Sequence, residues 1–187
     1  MAHNTQWYLN DYVINDYFEL IKKRDPSIYC FDTFFFENYK NFGYSRVKSW
    51  TKNINIFSKR KLFFPINIKR RNIPPHWILV VVDINHNQIT GYDSLKKSNL
   101  VAYRDDVLKY LEEEHLGKLG ESLPIDNWEK VQGENPYQEN GIDCGVYVCI
   151  FAEYISRDVA FNFDQDFMAG FRKLMAYELC TKQLINI

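Results

Sequence analysis

Two spacings of apolar residues divide this 187-residue chain into helices and strands. Apolar positions three or four residues apart are typical of amphipathic helices, and short β-branched or alternating runs are typical of strands. The helical spacing covers residues 11–24, 44–52, 100–114, 144–151 and 164–179. The strand pattern covers residues 61–68, 77–83, 88–94 and 128–132. The chain is therefore expected to contain both helices and a sheet.

Local signals refine these elements. Asn10 is a good N-cap for the first helix, and Pro26 follows its last turn. Pro65, inside the first predicted strand, indicates a sheet edge or a bulge. We expect Trp50 to face inward, and we interpret the acidic run at 112–114 as a solvated helix face.

The strands at 77–83 and 88–94 are joined by a short turn and predict a β-hairpin. His76 stands just before the outgoing strand, and Asp93 stands near the end of the returning strand. Folding about the turn leaves the two residues offset by roughly two or three positions, a gap that twist or a bulge can close. A histidine and a carboxylate are therefore predicted to meet at one end of the sheet.

Cys144 follows a turn-rich loop and begins an apolar helical run. Asp143 is a good N-cap, because its side chain can accept a hydrogen bond from a free backbone N–H. The positive end of a helix favours thiolate over thiol, and thiolate is the nucleophilic form. The alternative is that Cys144 is a small buried hydrophobic residue. We interpret the other three cysteines in that way, because Cys30, Cys149 and Cys180 lie in apolar runs.

An imidazole held by a carboxylate is the base that activates a cysteine nucleophile. His76 and Asp93 together fit that arrangement. Taken alone, His76 could equally be a strand-end histidine with a structural hydrogen bond. His86 is better explained by the turn, and His3 and His115 by solvent exposure.

Composition limits the classes of function. The chain carries 23 Lys and Arg against 24 Asp and Glu, which argues against bulk binding of nucleic acid or membrane. Four scattered cysteines form neither a metal pattern nor a disulfide framework, which favours a reducing compartment. No apolar run approaches the length of a membrane span. We expect one domain over residues 1–187, with residues 1–6 as a poorly ordered leader.

The motifs in combination resemble those of the SUMO-specific (sentrin-specific) cysteine proteases. The catalytic motifs that carry the resemblance are His76-Trp77, Asp93-Ser94, Gln138 and Asn140-Gly141-Ile142-Asp143-Cys144-Gly145. Further matches occur in family order at Leu9-Asn10-Asp11, Phe31-Asp32-Thr33-Phe34-Phe35-Phe36 and Phe171-Arg172-Lys173. The resemblance extends from about Trp7 to Leu179. It implies an α+β fold of the papain-like superfamily, with a central mixed sheet packed by helices and the catalytic cysteine at a helix N-terminus.

The resemblance also implies roles for individual residues. Cys144 would be the nucleophile, His76 the general base and later acid, and Asp93 the group that orients His76. Gln138 would supply a neutral hydrogen-bond donor to the oxyanion of the tetrahedral intermediate. The family's tandem glutamine is Tyr137-Gln138 here, so that only the second is kept.

On the substrate side, Trp77 resembles the ring that covers the modifier's C-terminal diglycine. The second ring of that slot is usually a tryptophan directly before Leu-Asn-Asp. Here Tyr8 occupies that position and Trp7 precedes it, so either could complete the slot, and the register favours Tyr8. Asp11 resembles a residue that pairs with an arginine near the modifier's tail. The connection at 69–75 is longer than in the usual pattern.

The function implied is a thiol protease that cleaves after the diglycine of a SUMO-like modifier, from a precursor or an isopeptide conjugate. The resemblance implies no cofactor or metal, and a partner that is the modifier or its conjugates. We expect a monomer in the nucleus, the cytoplasm or both. The alternatives are the same chemistry on another ubiquitin-like protein, a Cys-His-Asp acyltransferase, and a non-catalytic modifier-binding module.

Overall fold

The computed structural model describes residues 8–185, except for the side chains of Arg70 and Ile73. The strands are β1 Ile28–Cys30, β2 Lys61–Arg70, β3 Ile73–Asp83, β4 Gln88–Tyr92 and β5 Glu129–Gln132. The helices are α1 Asp11–Arg24, α2 Phe35–Phe42, α3 Tyr44–Val47, α4 Leu100–Leu119, α5 Cys144–Ser156 and α6 Met168–Thr181. Short 3₁₀ turns occur at Ile56–Ser58, Ile125–Asn127 and Gln165–Phe167.

The strands form one mixed sheet in the order β1-β2-β3-β4-β5. Strand β3 is antiparallel to both β2 and β4. The outer strands are parallel to their neighbours, β1 to β2 and β5 to β4. Strand β1 pairs with β2 only at Lys61–Phe63, so Pro65 lies where β2 is a sheet edge. A missing N–H costs no ladder hydrogen bond there, and the edge prediction for Pro65 is confirmed.

Helices cover both faces of the sheet. Alternate side chains of β3 point to opposite faces, so Trp77 and Leu79 join one core while Ile78 and Val80 join the other. The first core lies against α1, α5 and α6, and the second lies against α2 and α4. The expected α+β architecture with a mixed sheet is therefore confirmed. Helix α5 is buried along most of its length, which gives Cys144 a rigid support.

Two sequence-based expectations about the α3–α4 region are wrong. Trp50 is 37% exposed, and its ring makes an edge-on contact with Phe35. Glu114, expected in solvent, is fully buried and accepts a 2.5 Å hydrogen bond from Thr51 while pairing with Lys118 at 3.0 Å. The loop after α3 brings Thr51 to Glu114, whereas Lys118 lies one turn further along α4.

Asn10 accepts a hydrogen bond from the N–H of Val13, as its predicted role as N-cap of α1 requires. Within residues 8–185, no helix combines the length and apolar character needed to cross a membrane.

Candidate active site

Cys144 is the first residue of α5 and its side chain is 2% exposed. Asp143 precedes it with backbone angles of φ −93° and ψ 1°, and its side chain makes no capping hydrogen bond. The expectation that Asp143 caps the helix through its carboxylate is therefore wrong. The Asp143 carboxylate therefore leaves the N–H groups at the start of α5 uncapped, and such groups can bind an anion.

The Asp143 carboxylate is occupied by side chains from other segments. Arg172 of α6 donates to Oδ1 from Nε at 2.9 Å and from Nη2 at 2.5 Å. Gln165 and Asn140 donate to Oδ2 at 2.9 Å and 2.6 Å. Burial favours a higher pKa for Asp143, but these hydrogen bonds hold the pKa below its ordinary value. The loop that leads into Cys144 is thereby anchored to α6.

His76 reaches Asp93 as the hairpin register predicts. Leu79 pairs with Tyr92, so Asp93 continues β4 to within two residues of the position opposite His76. Nε2 of His76 lies 2.6 Å from Oδ1 of Asp93. The predicted meeting of the two side chains at one end of the sheet is confirmed.

Asp93 is buried and its carboxylate is saturated with donors. Besides His76, it accepts hydrogen bonds from the backbone N–H groups of Leu95 at 2.8 Å, Lys97 at 2.9 Å and Ser98 at 2.8 Å. Burial alone would raise the pKa of Asp93, but the hydrogen bonds from His76 and the backbone outweigh it and lower the pKa well below the ordinary range. Asp93 is therefore a fixed anion against the imidazole.

The second ring nitrogen of His76, Nδ1, is available to Cys144. Nδ1 is buried and has no regular hydrogen-bond partner within residues 8–185, and Nε2 is bound to Asp93, so we infer that Nδ1 is directed at the thiol. Burial lowers the pKa of His76, but hydrogen bonding to Asp93 and Cys144 raises it to about 9. The raised pKa favours the imidazolium form of His76 at neutral pH. A cation next to a cysteine in general favours thiolate.

Gln138 is buried beside this pair and is held at both ends of its side-chain amide. Its Oε1 accepts a hydrogen bond from Ser94 Oγ at 2.6 Å, and its Nε2 donates to the carbonyl of Asn140 at 2.6 Å. The backbone N–H of Gln138 also donates to the carbonyl of Ser94 at 2.9 Å. Nε2 carries two N–H groups, so one remains for a further acceptor.

Trp77 and the chain just after Tyr8 lie together on the other side of Cys144. Nε1 of Trp77 donates to the carbonyl of Leu9 at 3.3 Å. A Cβ on Gly145 would lie 2.9 Å from Cβ of Leu9 and 3.4 Å from Cδ1 of Trp77. Only glycine fits after Cys144 without displacing these neighbours. Tyr8 is half-buried at this position, and Trp7 lies outside the described residues.

The remaining predicted site residue, Asp11, lies in the first turn of α1 and is half-buried. Cys30 and Cys149 are buried as expected, whereas Cys180 is exposed at the end of α6, contrary to expectation. No cluster of three or more His, Cys, Asp and Glu side chains in residues 8–185 could hold a metal ion.

Sequence reasoning missed several residues that support the site. Ser94, Asn140, Gln165 and Arg172 hold Gln138 or Asp143, but none was assigned a role from sequence. For Ser94 the available signal was its place directly after Asp93. Arg172 stands 29 residues from its partner, and no spacing rule connects them.

Taken together, the site combines a buried cysteine at a helix N-terminus, a histidine whose pKa is raised, the buried carboxylate bound to that histidine, and an amide donor. Such an arrangement can add a thiolate to an acyl carbon and protonate a leaving amine. The family model described as the Ulp1 protease family, C-terminal catalytic domain, matches residues 7–184. The chain belongs to the Ulp1 protease family.

Similar proteins cover nearly the whole chain. A sentrin-specific protease of Caenorhabditis elegans is 37% identical over 95% of this chain and 26% of its own length. Sentrin-specific protease 2 of Homo sapiens is 37% identical over 97% of the chain and 31% of its own length. This Ulp1-family chain thus spans less than a third of either relative.

A solved structure shares the fold. The C-terminal Ulp1 protease domain in complex with Smt3, the yeast ortholog of SUMO, superposes with a TM-score of 0.80. The two are 31% identical, and the match covers 93% of this chain and 77% of that chain.

Proposed function

We propose that this chain is a cysteine protease that cleaves after the C-terminal diglycine of a SUMO-like modifier. The proposal rests on one observation: His76 pairs with Asp93 at 2.6 Å, and Cys144 at the head of α5 is among the groups that raise the pKa of His76. The related yeast domain in complex with Smt3 supports the choice of modifier. The substrate is then a modifier precursor or a modifier joined to a target lysine.

Each side chain has a role in the proposed reaction. The Cys144 thiolate adds to the carbonyl carbon of the terminal glycine, and the oxyanion accepts hydrogen bonds from Gln138 Nε2 and an N–H of the first turn of α5. As the C–N bond breaks, His76 gives its proton to the leaving amine, and a thioester remains on Cys144. Water then attacks the thioester, His76 takes its proton, and the thiolate leaves. Losing one oxyanion donor costs about 2.7–4 kcal/mol of barrier in comparable enzymes.

Asp93 acts through His76 in this scheme. Its carboxylate keeps the ring oriented and charged, because the hydrogen bond at 2.6 Å joins it directly to Nε2. The three backbone donors keep the carboxylate itself from rotating. Asp93 therefore never contacts substrate and serves as a positioning residue.

The passage for the modifier's tail is proposed to run between Trp77 and Tyr8. Trp77 is tied to Leu9, and Gly145 leaves no room for a side chain at the same point. A slot of that kind admits glycine and rejects larger residues. Asp11 lies on the adjoining turn of α1, where it could pair with an arginine of the tail.

Further parts of the proposal concern partners and location. We propose a monomer that binds the modifier and its conjugates, binds neither nucleic acid nor membrane, and works in the nucleus, the cytoplasm or both. The formal net charge of −1 and the scattered cysteines support this assignment.

The test is covalent capture by C-terminal electrophile probes built on SUMO, ubiquitin and other ubiquitin-like proteins. We expect a covalent band with the SUMO probe, lost in Cys144→Ser and kept in Cys180→Ser, which removes the exposed cysteine. Cys144→Ser should still bind the modifier. A covalent band with another modifier alone would mean that this modifier, and not SUMO, is the substrate. No band with any probe from a folded sample would favour an acyltransferase or a binding module.

A further inference from the structure

An open cavity borders His76 on the side away from the Trp77 passage. It encloses about 680 Å³, part of it open to solvent. Its lining residues are Ile68, Pro74, Pro75, His76, Leu95, Lys97, Ser98 and Gly141. His76 and Trp77 are neighbours on β3 and point to opposite faces, so the imidazole separates this cavity from the passage.

The position of this cavity suits it to hold the leaving group of the reaction, an inference that rests on the function proposed above. His76 can protonate the leaving amine only if that amine lies against its ring. The chain that carries the amine must then continue into space that the ring borders. The Trp77 side is taken by the diglycine, which leaves the cavity beside Pro75 and Leu95 for the leaving segment.

The walls of the cavity are mostly apolar. Pro74 and Pro75 have no backbone N–H, and Ile68 and Leu95 add aliphatic surface. The β2–β3 hairpin extends past His76 to a tight turn at Asn72, which has φ 63°, and so holds the two prolines beside the site. An aliphatic side chain of the leaving segment fits such walls.

The rim carries one cation without a carboxylate. Lys97 is exposed, and no acidic side chain among the described residues lies within ion-pair distance of its ammonium. Its backbone is fixed, because its N–H donates to Asp93 at 2.9 Å. The neighbouring Lys96 differs, since its ammonium lies 3.6 Å from the centre of the Tyr137 ring. A carboxylate on the leaving segment would complement Lys97.

We propose that this cavity is the leaving-group subsite and that it selects segments with an aliphatic side chain next to a carboxylate. The aliphatic group lies against Pro74, Pro75 and Leu95, and the carboxylate meets Lys97. The subsite therefore discriminates among precursors and conjugates after the diglycine has been recognised.

The test compares modifier precursors that differ only after the diglycine, with tails that begin Leu-Asp, Leu-Asn, Leu-Lys and Ser-Asp. We expect kcat/KM to be highest for Leu-Asp, with about a two- to fivefold advantage over Leu-Asn, typical of one exposed charge pair. The advantage should shrink as salt is added. Lys97→Glu should reverse the order of the Leu-Asp and Leu-Lys tails. Lys96→Glu, the same charge change one residue away, should keep the wild-type order.

A modifier that ends in a coumarin amide reports the chemistry without a peptide tail. Cleavage of this substrate together with a tail preference that Lys97→Glu does not alter would overturn the subsite while leaving the proposed function standing. Reversal by Lys96→Glu as well would also overturn it, because bulk charge would then explain the preference. Failure to cleave the coumarin amide would overturn the proposed function and the subsite with it.

Discussion

The ion pair between His76 and Asp93 makes stability depend on pH in a way that one substitution can isolate. Asp93→Asn replaces the carboxylate with a neutral group of similar shape and leaves the imidazole in place. The two side chains are largely buried, and Nε2 lies 2.6 Å from Oδ1. We expect the substitution to lower the pKa of His76 from about 9 toward its ordinary value of 6.5.

The magnitude follows from the pKa of His76. A rise from 6.5 to about 9 corresponds to roughly 3 kcal/mol, at about 1.4 kcal/mol for each pH unit. Because the folded pKa is raised, this stabilisation is complete below pH 6.5 and is lost as pH rises through about 9. The lowered pKa of Asp93 acts in the opposite sense, since its contribution is present above the ordinary value of 3.8 and is lost in acid. The pair therefore stabilises the fold most between these two ordinary values.

Urea unfolding of the wild type and Asp93→Asn, at about pH 6 and about pH 10, measures this contribution. The stability gap between the two proteins should be up to about 3 kcal/mol larger at the lower pH. A smaller gap should remain at the higher pH, because an asparagine offers one oxygen to the backbone donors that Asp93 satisfies. A gap that stays the same at both pH values would refute a charged His76 in the folded state.

Asp83→Asn provides the matched control. Asp83 forms the other His–Asp pair within the described residues, with Nδ1 of His86 at 2.9 Å, but the His86 side chain is 76% exposed. Water screens such a pair, so we expect little change in stability with pH. A large pH-dependent gap in this variant would mean that the assay does not report on the buried pair.

Three further predictions concern residues around Cys144. Gly145→Ala brings a methyl group to 2.9 Å from Cβ of Leu9. In urea unfolding we expect overpacking to lower the stability by about 1–3 kcal/mol and the higher helix propensity of alanine to restore about 1 kcal/mol of it. Stability equal to or above that of the wild type would contradict the close contact. Arg172→Gln leaves Asp143 buried without its cation and should lower the free energy of unfolding by up to about 3 kcal/mol. Adding Asp143→Asn should recover part of this stability, and purely additive losses in the double variant would argue against a direct pair. Trp77→Ala should abolish capture by the SUMO probe, whereas Trp77→Phe should retain capture. The phenylalanine variant should lose about 1 kcal/mol of stability, because it lacks the hydrogen bond to Leu9. Normal capture by the alanine variant would show that Trp77 does not line the passage.

Much of the site could be predicted because its geometry is encoded by neighbouring residues. The strand–turn–strand pattern determines which residues face each other, and this places His76 beside Asp93. The end of a turn-rich loop and the start of an apolar helical run locate Cys144 at the head of α5. Asn10 lies at the start of α1 for the same reason, since a cap is a relation among residues three positions apart.

Other features depended on segments far apart in the chain. Asp143 has the residue type of a capping side chain, but Arg172 from α6 provides a charged partner that a backbone N–H cannot match. Glu114 has the sequence context of a solvated acid, yet it is buried, and its Oε1 accepts a hydrogen bond from Thr51, which lies 63 residues earlier in the chain. Trp50 remains at the surface because α3 ends at Val47 and the residues after it form turns, so the helical spacing that would face Trp50 inward is not continued.

The sequence by itself determined the helices α1, α4, α5 and α6, the strands β2 to β5, and the hairpin that joins His76 to Asp93. These follow from periodicity and capping, which act over a few residues. Only the tertiary structure decided the partner of Asp143, the burial of Glu114, and the cavity beside Pro75 and Lys97. Those depend on which distant surfaces meet, and the free energy of such contacts is not contained in any local spacing.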